Sequence, residues 1–237
     1  MATSPSPSKQ AQLRERAERN LGALVIAIEF TLISVMVGVI LFPLMDFATP
    51  ILRDLKFEYM LYVVSGLLLI LYTWSEVVSH SLTFIGWPMD MLHNLLYIVT
   101  AMLLAVQMHF LQDPLGWFSL TTLSVIVAAI VSVYDKRVLQ ERLAAAEGAA
   151  KELYQTALTR QEFLVRVFPV SVVTSLLQVA LIYFFPGLFL ADKAHLLLVA
   201  IQIITFSILL VRTLKAFNAA RSQILQKAVQ ELWSEES

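Results

Sequence analysis

Long apolar runs separate the charged stretches of this chain. The protein has 237 residues, of which 58% are hydrophobic and only 15% are charged, whereas about a quarter of the residues in a soluble domain are charged. Each run is close to the roughly 20 residues that an α-helix needs to cross the hydrocarbon core of a bilayer. Within that core the backbone polar groups must be satisfied internally, which a helix achieves by itself. The sequence therefore predicts an all-α, polytopic integral membrane protein, folded as a helix bundle in the lipid bilayer.

Six transmembrane helices account for the apolar runs. Proline fits the first turn of a helix, and a preceding Asp or Thr can cap its free N–H groups. Thr49-Pro50 and Asp113-Pro114 are therefore each predicted to begin a helix. Pro43 and Pro169 fall near span ends, where a break is tolerated. The predicted spans are residues 21–45, 58–84, 89–111, 115–134, 167–189 and 194–214.

The distribution of lysine and arginine predicts the orientation. Of the 17 lysines and arginines, only Arg53, Lys56 and Lys193 fall on the outer side if the N-terminal segment is cytoplasmic. Basic residues concentrate on the cytoplasmic side of membrane proteins, and both terminal segments are basic. We therefore expect a multi-pass protein of the cell membrane (plasma or inner membrane) with both termini in the cytoplasm.

The membrane portion divides into a four-helix part at 21–134 and a two-helix part at 167–214. Short cytoplasmic helical extensions are predicted at 1–20, where an amphipathic helix follows a Ser/Pro segment, at 135–166 as a linker, and at 215–237. Apolar residues of the linker recur at spacings of four and three, which is typical of a packing seam, and Arg160 interrupts that seam. The linker is interpreted as a hairpin that packs on itself. Docking to another copy of the chain or to a membrane-protein partner is the alternative.

Several function classes find no support in the sequence. The net charge is −1, so no excess of basic residues indicates a nucleic-acid partner. The chain has no cysteine, which excludes disulfides and thiolate ligands. Nucleotide-binding glycine patterns, a serine nucleophile elbow and the HExxH zinc motif are all absent from the sequence, so no motif assigns an enzymatic reaction.

Ionisable residues inside the predicted spans are the strongest indicators of function, because burying a charge in a bilayer is costly. Glu29 lies in the first span, and Glu76 and His80 lie toward the cytoplasmic end of the second. Residues four apart share a helical face, so Glu76 and His80 are expected to pair. A buried carboxylate and an imidazole can exchange a proton near neutral pH. Glu29, Glu76 and His80 are therefore the candidates for a transport site or proton relay.

The same region offers an alternative set of metal ligands. His80 and His93 lie at similar distances from the Gly86-Trp87 turn, on helices that are expected to be neighbours. With Glu76 and Asp90 they could hold a divalent metal ion, for which Zn²⁺, Mn²⁺ and Fe²⁺ are the candidates, since these ions accept imidazole and carboxylate ligands. The simpler interpretation is that Asp90 caps the third helix and that the histidines hydrogen-bond across the hairpin.

Polar and aromatic residues elsewhere in the spans have less specific interpretations. His109 and His195 are expected at the membrane interface, and aromatic residues such as Tyr62 and Trp117 in interfacial belts. Serines and threonines of the fourth to sixth spans are expected either to line a hydrated path or, more commonly, to bond to their own helices.

Three functions are consistent with these features. Transport or permeation of a proton or small ion ranks first, because a deep carboxylate is typical of such proteins. A non-catalytic accessory or assembly subunit of a membrane protein complex is the second. An intramembrane metal-binding protein or metalloenzyme is the third.

Overall fold

The protein is almost entirely helical. A computed structural model describes residues 31–83, 91–146 and 148–235, and within these ranges 94% of the residues are helical and no strand is present. The all-α class predicted from the apolar runs is therefore confirmed. Glu29 and Asp90, two of the candidate site residues, lie outside the described residues.

Six long helices follow one another along the described part of the chain. They are α1 (Thr31–Arg53), α2 (Phe57–Thr83), α3 (Met91–Gln107), α4 (Pro114–Ala145), α5 (Gly148–Phe184) and α6 (His195–Glu235). A 3-10 turn at Met108–Phe110 follows α3, and a π-helical turn at Gly187–Ala191 lies between α5 and α6.

Five of these helices, α1, α2, α4, α5 and α6, are long and apolar enough to cross a membrane. In α3 and the turn after it, the described residues form an apolar helical segment at Leu95–Phe110, which is shorter than the other five. The structure thus supports five of the six predicted spans. Five apolar helices of this length indicate an integral membrane protein. Each helix satisfies its own backbone hydrogen bonds, as a segment surrounded by lipid must.

The proline signals gave one correct and one wrong helix start. Asp113 caps α4 as predicted, because its Oδ1 accepts a hydrogen bond from the backbone N–H of Leu115 (3.1 Å) and Pro114 occupies the first turn. Pro50 does not begin a helix. Helix α1 continues through Pro43 and Pro50 to Arg53, past its predicted end at residue 45. Thr49 donates to the carbonyl of Met45 (2.7 Å) instead of capping a new helix.

The core lies where α1, α2, α3, α4 and α6 meet. Tyr62 of α2 and Trp117 and Phe118 of α4 are completely buried there. Gly66 allows this close approach, because a β-carbon at that position would lie 3.1 Å from the sulfur of Met108 and 3.3 Å from Leu44. Helix α4 also packs along α5, and α2 packs along α6.

The linker predicted at 135–166 consists of the ends of two helices. Helix α4 continues to Ala145, the backbone is extended at Ala146, and α5 begins at Gly148. Leu139 is fully buried against residues that include Tyr154, Ala157 and Leu158. The two helix ends therefore form a hairpin that packs on itself.

Candidate functional site

Two polar clusters lie at opposite ends of the bundle. We call the end that carries the connections 54–56, 111–113 and 185–194 the loop end, and the end at which α6 continues to Glu235 the tail end. The Glu76 cluster, near the tail end, consists of Glu76, Arg160 and Thr213. The Gln202 network, nearer the loop end, consists of Ser65, Gln107, Trp117, Thr121 and Gln202.

The Glu76 cluster joins three helices through one carboxylate. Arg160 of α5 donates from Nη2 to both oxygens of Glu76 on α2, at 2.7 Å and 2.8 Å. Thr213 of α6 donates from its hydroxyl to Oε1 of the same carboxylate. The side chains of Glu76 and Arg160 are only 17% and 31% exposed. The ion pair is thus partly removed from solvent, where charge-assisted hydrogen bonds are strong.

The depth of the cluster follows from helix geometry. At roughly 1.5 Å per residue, Glu76 lies about 29 Å along α2 from Phe57, and Thr213 lies about 27 Å along α6 from His195. A hydrocarbon core is roughly 30 Å thick. The cluster therefore lies close to the membrane boundary on the tail side, where α5 meets α2 and α6.

A second contact holds α5 to α6 at the same level. The guanidinium of Arg212 on α6 lies over the ring of Phe163 on α5, 5.0 Å from its centroid. Such cation–π contacts are stabilising. Elsewhere α5 packs mainly on α4, and α6 packs mainly on α2. The charged contacts near the tail end therefore link α5 to α2 and α6.

The structure gives Glu76 a partner that the sequence did not predict. The expected partner was His80, one turn further along α2, whereas both carboxylate oxygens bond to Arg160. His80 and His93 belong to α2 and α3, but their side chains lie outside the described part of the structure. The proton-relay assignment to Glu29, Glu76 and His80 stays a prediction.

The metal-site hypothesis also stays a prediction. Among the residues that the structure describes, no three His, Asp or Glu side chains are grouped as a metal site would require, but most of the proposed ligands fall outside that set. Glu76 is described, and the positive charge of Arg160 on its carboxylate opposes a cation at the same oxygens. A metal ion at Glu76 would have to displace Arg160.

Arg160 is the site residue that sequence reasoning missed. It was placed in a cytoplasmic linker, and the sequence marked it only as a charged residue within an apolar packing seam. A charged residue at a seam position needs a partner, because burial of an unpaired charge is costly. That requirement, applied to Glu76 on another helix, would have suggested the pair.

The Gln202 network connects α2, α3, α4 and α6 through buried side chains. The carbonyl oxygen of Gln202 accepts from the indole N–H of Trp117 (2.8 Å) and the hydroxyl of Ser65 (3.0 Å). Its amide donates to Thr121 (3.2 Å), which also accepts from the amide of Gln107 (2.8 Å). Within the described chain the carbonyl oxygen of Gln107 has no hydrogen-bond partner.

Three residues expected at the membrane interface lie inside the bundle instead. Tyr62 and Trp117 are fully buried, with their rings edge to face at 5.5 Å. His195 is also buried, and its Nδ1 lies 2.8 Å from the hydroxyl of Tyr62. Buried Tyr and Trp usually bond through their polar atoms, and Trp117 does so with Gln202. By contrast, His109 is exposed, as expected for an interfacial residue.

An ion pair fixes the start of α6 at the loop end. Lys193 bonds to Glu58 at the start of α2. Its hydrogen bond to that carboxylate raises the pKa of the Lys193 amine, so the lysine stays charged at neutral pH. This contact and the Tyr62–His195 contact attach the first turn of α6 to α2.

Most hydroxyl groups of the last three spans bond to their own helices. Thr122, Thr174 and Thr205 each donate to the carbonyl four residues earlier. Such bonds satisfy a hydroxyl without any partner helix. Thr121 and Thr213 differ, because their hydroxyls also bond to side chains of other helices.

Comparison with protein-family models, with curated proteins and with solved structures gave no match.

Proposed function

We propose that this protein passes protons or a small cation across the bilayer, with the Glu76 cluster as its gate. The observation that supports this is a carboxylate near the end of a membrane span, bonded to an arginine and a threonine from two other helices. Glu76 falls within the apolar span Phe57–Ser79, and ionisable groups within spans are rare and commonly belong to ion or proton pathways.

The basic residues support a cytoplasmic tail end. In the described chain, the parts of α4, α5 and α6 beyond the membrane carry most of the lysines and arginines, whereas Arg53, Lys56 and Lys193 lie at the loop end. By the positive-inside rule, the proposed orientation has the N and C termini in the cytoplasm, and the cell membrane is the proposed location. The Glu76 cluster is then the cytoplasmic gate.

The gate opens when Arg160 leaves Glu76. With the ion pair intact, α5 is held to α2 and α6. A proton on Glu76 removes its charge and weakens its attraction to Arg160, and a cation arriving at the carboxylate competes with the guanidinium for the same oxygens. Either event loosens the link between the helix pairs. Glu29 and His80 are the further candidates for passing the proton on.

Flux measurements on reconstituted protein test this proposal. Glu76→Gln keeps the shape of the side chain but removes its charge and its titration. We expect proton flux in proteoliposomes to fall about tenfold or more, because an uncharged amide cannot exchange a proton. If the protein passes a cation instead, cation flux should rise, because the neutral amide no longer holds Arg160 and the gate stays open. Glu141→Gln is the control, since Glu141 is exposed in a surface pair with Arg137. Wild-type flux for every ion tested, in Glu76→Gln and also in Glu29→Gln, would contradict the assignment.

A role as an accessory subunit is the second candidate, and the length of α6 favours it. Its 41 residues extend about 62 Å at roughly 1.5 Å per residue, about twice the thickness of a hydrocarbon core. A single projecting helix is marginally stable in water, so packing against a partner would stabilise it.

Deletion of residues 218–237 separates the two candidates. If the protein is an accessory subunit, a co-purifying membrane protein is lost with the deletion, while the thermal unfolding of the remaining bundle in detergent is unchanged. If the full-length protein purifies alone and retains its flux after the deletion, the accessory role is wrong.

A further inference from the structure

Two cations of α6 lie at the tail-side membrane boundary without an acidic partner. Arg212 and Lys215 are both exposed, and no carboxylate among the described residues lies within ion-pair distance of either. At roughly 1.5 Å per residue they lie about 26 Å and about 30 Å along α6 from His195. A hydrocarbon core is roughly 30 Å thick, so both cations lie at the level where the lipid headgroups begin. At the loop end, by contrast, Arg53 and Lys56 both pair with Asp54.

An aromatic ring of α5 holds one of these cations at the edge between α5 and α6. The guanidinium of Arg212 lies 5.0 Å from the ring centroid of Phe163, which is itself 44% exposed. The contact fixes the side chain without neutralising its charge, so the guanidinium can still donate to an anion. Lys215 follows Arg212 by three residues, and its side chain therefore emerges on a neighbouring part of the same helix surface.

A third cation comes from α5. Arg166 follows Phe163 by three residues, so both emerge on one side of α5, and the side chain of Arg166 is 79% exposed. Arg166 pairs with Glu162 at 3.7 Å, but Lys136 approaches the same carboxylate at 3.9 Å. One carboxylate thus serves two cations, and the edge between α5 and α6 keeps an excess of positive charge.

Apolar side chains continue from these cations toward the loop end. Seven residues make nearly two helical turns, so Ile208 lies on the same side of α6 as Lys215, and Val170 on the same side of α5 as Phe163. Ile208 and Val170 are 55% and 64% exposed. A cationic surface at the membrane boundary, followed by an apolar surface at greater depth, matches a molecule with an anionic headgroup and acyl chains.

We propose that Arg212, Lys215 and Arg166 bind the phosphate of an anionic phospholipid at the tail-side edge between α5 and α6. Arginine and lysine bind phosphate oxygens through charge-assisted hydrogen bonds. Anionic lipids give the cytoplasmic leaflet its negative potential, and in the orientation proposed above this is the tail-side leaflet. Free phosphate offers the same oxygens, but it has no acyl chains to cover Ile208 and Val170. The lipid site does not depend on the transport function.

Native mass spectrometry of the full-length protein in detergent micelles tests the site. The protein is equilibrated with equal amounts of phosphatidylglycerol and phosphatidylcholine, which carry the same acyl chains but differ in the net charge of the headgroup. Arg212→Gln/Lys215→Gln is compared with Arg53→Gln/Lys56→Gln. The second variant is a matched control, because it removes one arginine and one lysine at the opposite membrane boundary.

We expect the wild type to bind phosphatidylglycerol in preference to phosphatidylcholine. Arg212→Gln/Lys215→Gln should lose about tenfold or more in affinity for phosphatidylglycerol, since each of the two cations attracts the anionic headgroup. Arg53→Gln/Lys56→Gln should bind as the wild type does. Equal binding of the two lipids by the wild type would overturn the proposal. An equal loss in both double variants would also overturn it, because the effect would then be one of net charge.

The single variant Lys215→Gln keeps the test valid if the loss of Arg212 disturbs folding. The side chain of Lys215 makes no hydrogen bond or ion pair with a described residue, so thermal unfolding should be unchanged while binding of phosphatidylglycerol weakens. Unchanged binding in this variant would contradict the proposed site.

Competition with inorganic phosphate distinguishes a lipid from a free anion. Sodium phosphate is compared with sodium chloride at the same ionic strength, because salt alone weakens attraction between exposed charges. We expect both salts to reduce lipid binding equally. Selective displacement of phosphatidylglycerol by phosphate would overturn the lipid assignment in favour of a site for the free anion.

Discussion

Arg160→Gln is expected to lower the free energy of unfolding by about 3 kcal/mol, because it leaves the carboxylate of Glu76 partly buried without its cation. Thr213 still donates to Glu76, but one hydroxyl does not replace a guanidinium that bonds to both oxygens. Helix α5 also loses a principal contact with α2 and α6. Chemical denaturation in detergent micelles measures the change.

The double variant Glu76→Gln/Arg160→Gln is the informative companion. Two neutral amides leave no uncompensated charge, so the double variant should recover much of the stability that Arg160→Gln loses. Arg137→Gln is a matched control, since Arg137 and Glu141 are 80% and 68% exposed and such pairs contribute about 0 to 1 kcal/mol. If Arg160→Gln is no more destabilising than Arg137→Gln, the Glu76 cluster does not hold the helices together.

The apolar runs were sufficient to predict the all-α fold and five of the membrane-spanning helices, because hydrophobic length is a local property of the chain. Asp113-Pro114 was also predictable, since its cap bonds to a backbone N–H two residues away. The same argument failed at Thr49-Pro50. A proline near the end of a helix is compatible with a new helix and also with one last turn of the old helix, and packing decides between them.

The partners of the buried polar residues were not predictable from spacing. Glu76 has a histidine four residues away in sequence, but the partner that the structure describes comes from α5, 84 residues later. The sequence supplied a buried acid and a seam arginine as separate features, and only the fold brings them together. Trp117 was assigned to an interfacial belt by residue type, yet its indole N–H bonds to Gln202 on α6. The sequence pattern does not indicate that these two residues lie side by side.

Gln202→Leu is expected to lower the free energy of unfolding by about 3 kcal/mol. The substitution removes three hydrogen bonds, to Ser65, Trp117 and Thr121, each worth roughly 1 kcal/mol in a membrane protein. It also leaves the indole N–H of a fully buried tryptophan without an acceptor. Chemical denaturation in detergent, with tryptophan fluorescence as the readout, measures both the stability and the environment of Trp117.

Gln178→Leu is the matched control, because it makes the same substitution within a predicted span at a position where the amide has no hydrogen bond in the described chain. Its effect on stability should stay within about 0.5 kcal/mol. The two glutamines therefore differ in their contribution to the fold, because only the amide of Gln202 bonds to other helices. Equal losses of stability in both variants would contradict this division, since burial and hydrogen bonding would then not distinguish the two sites.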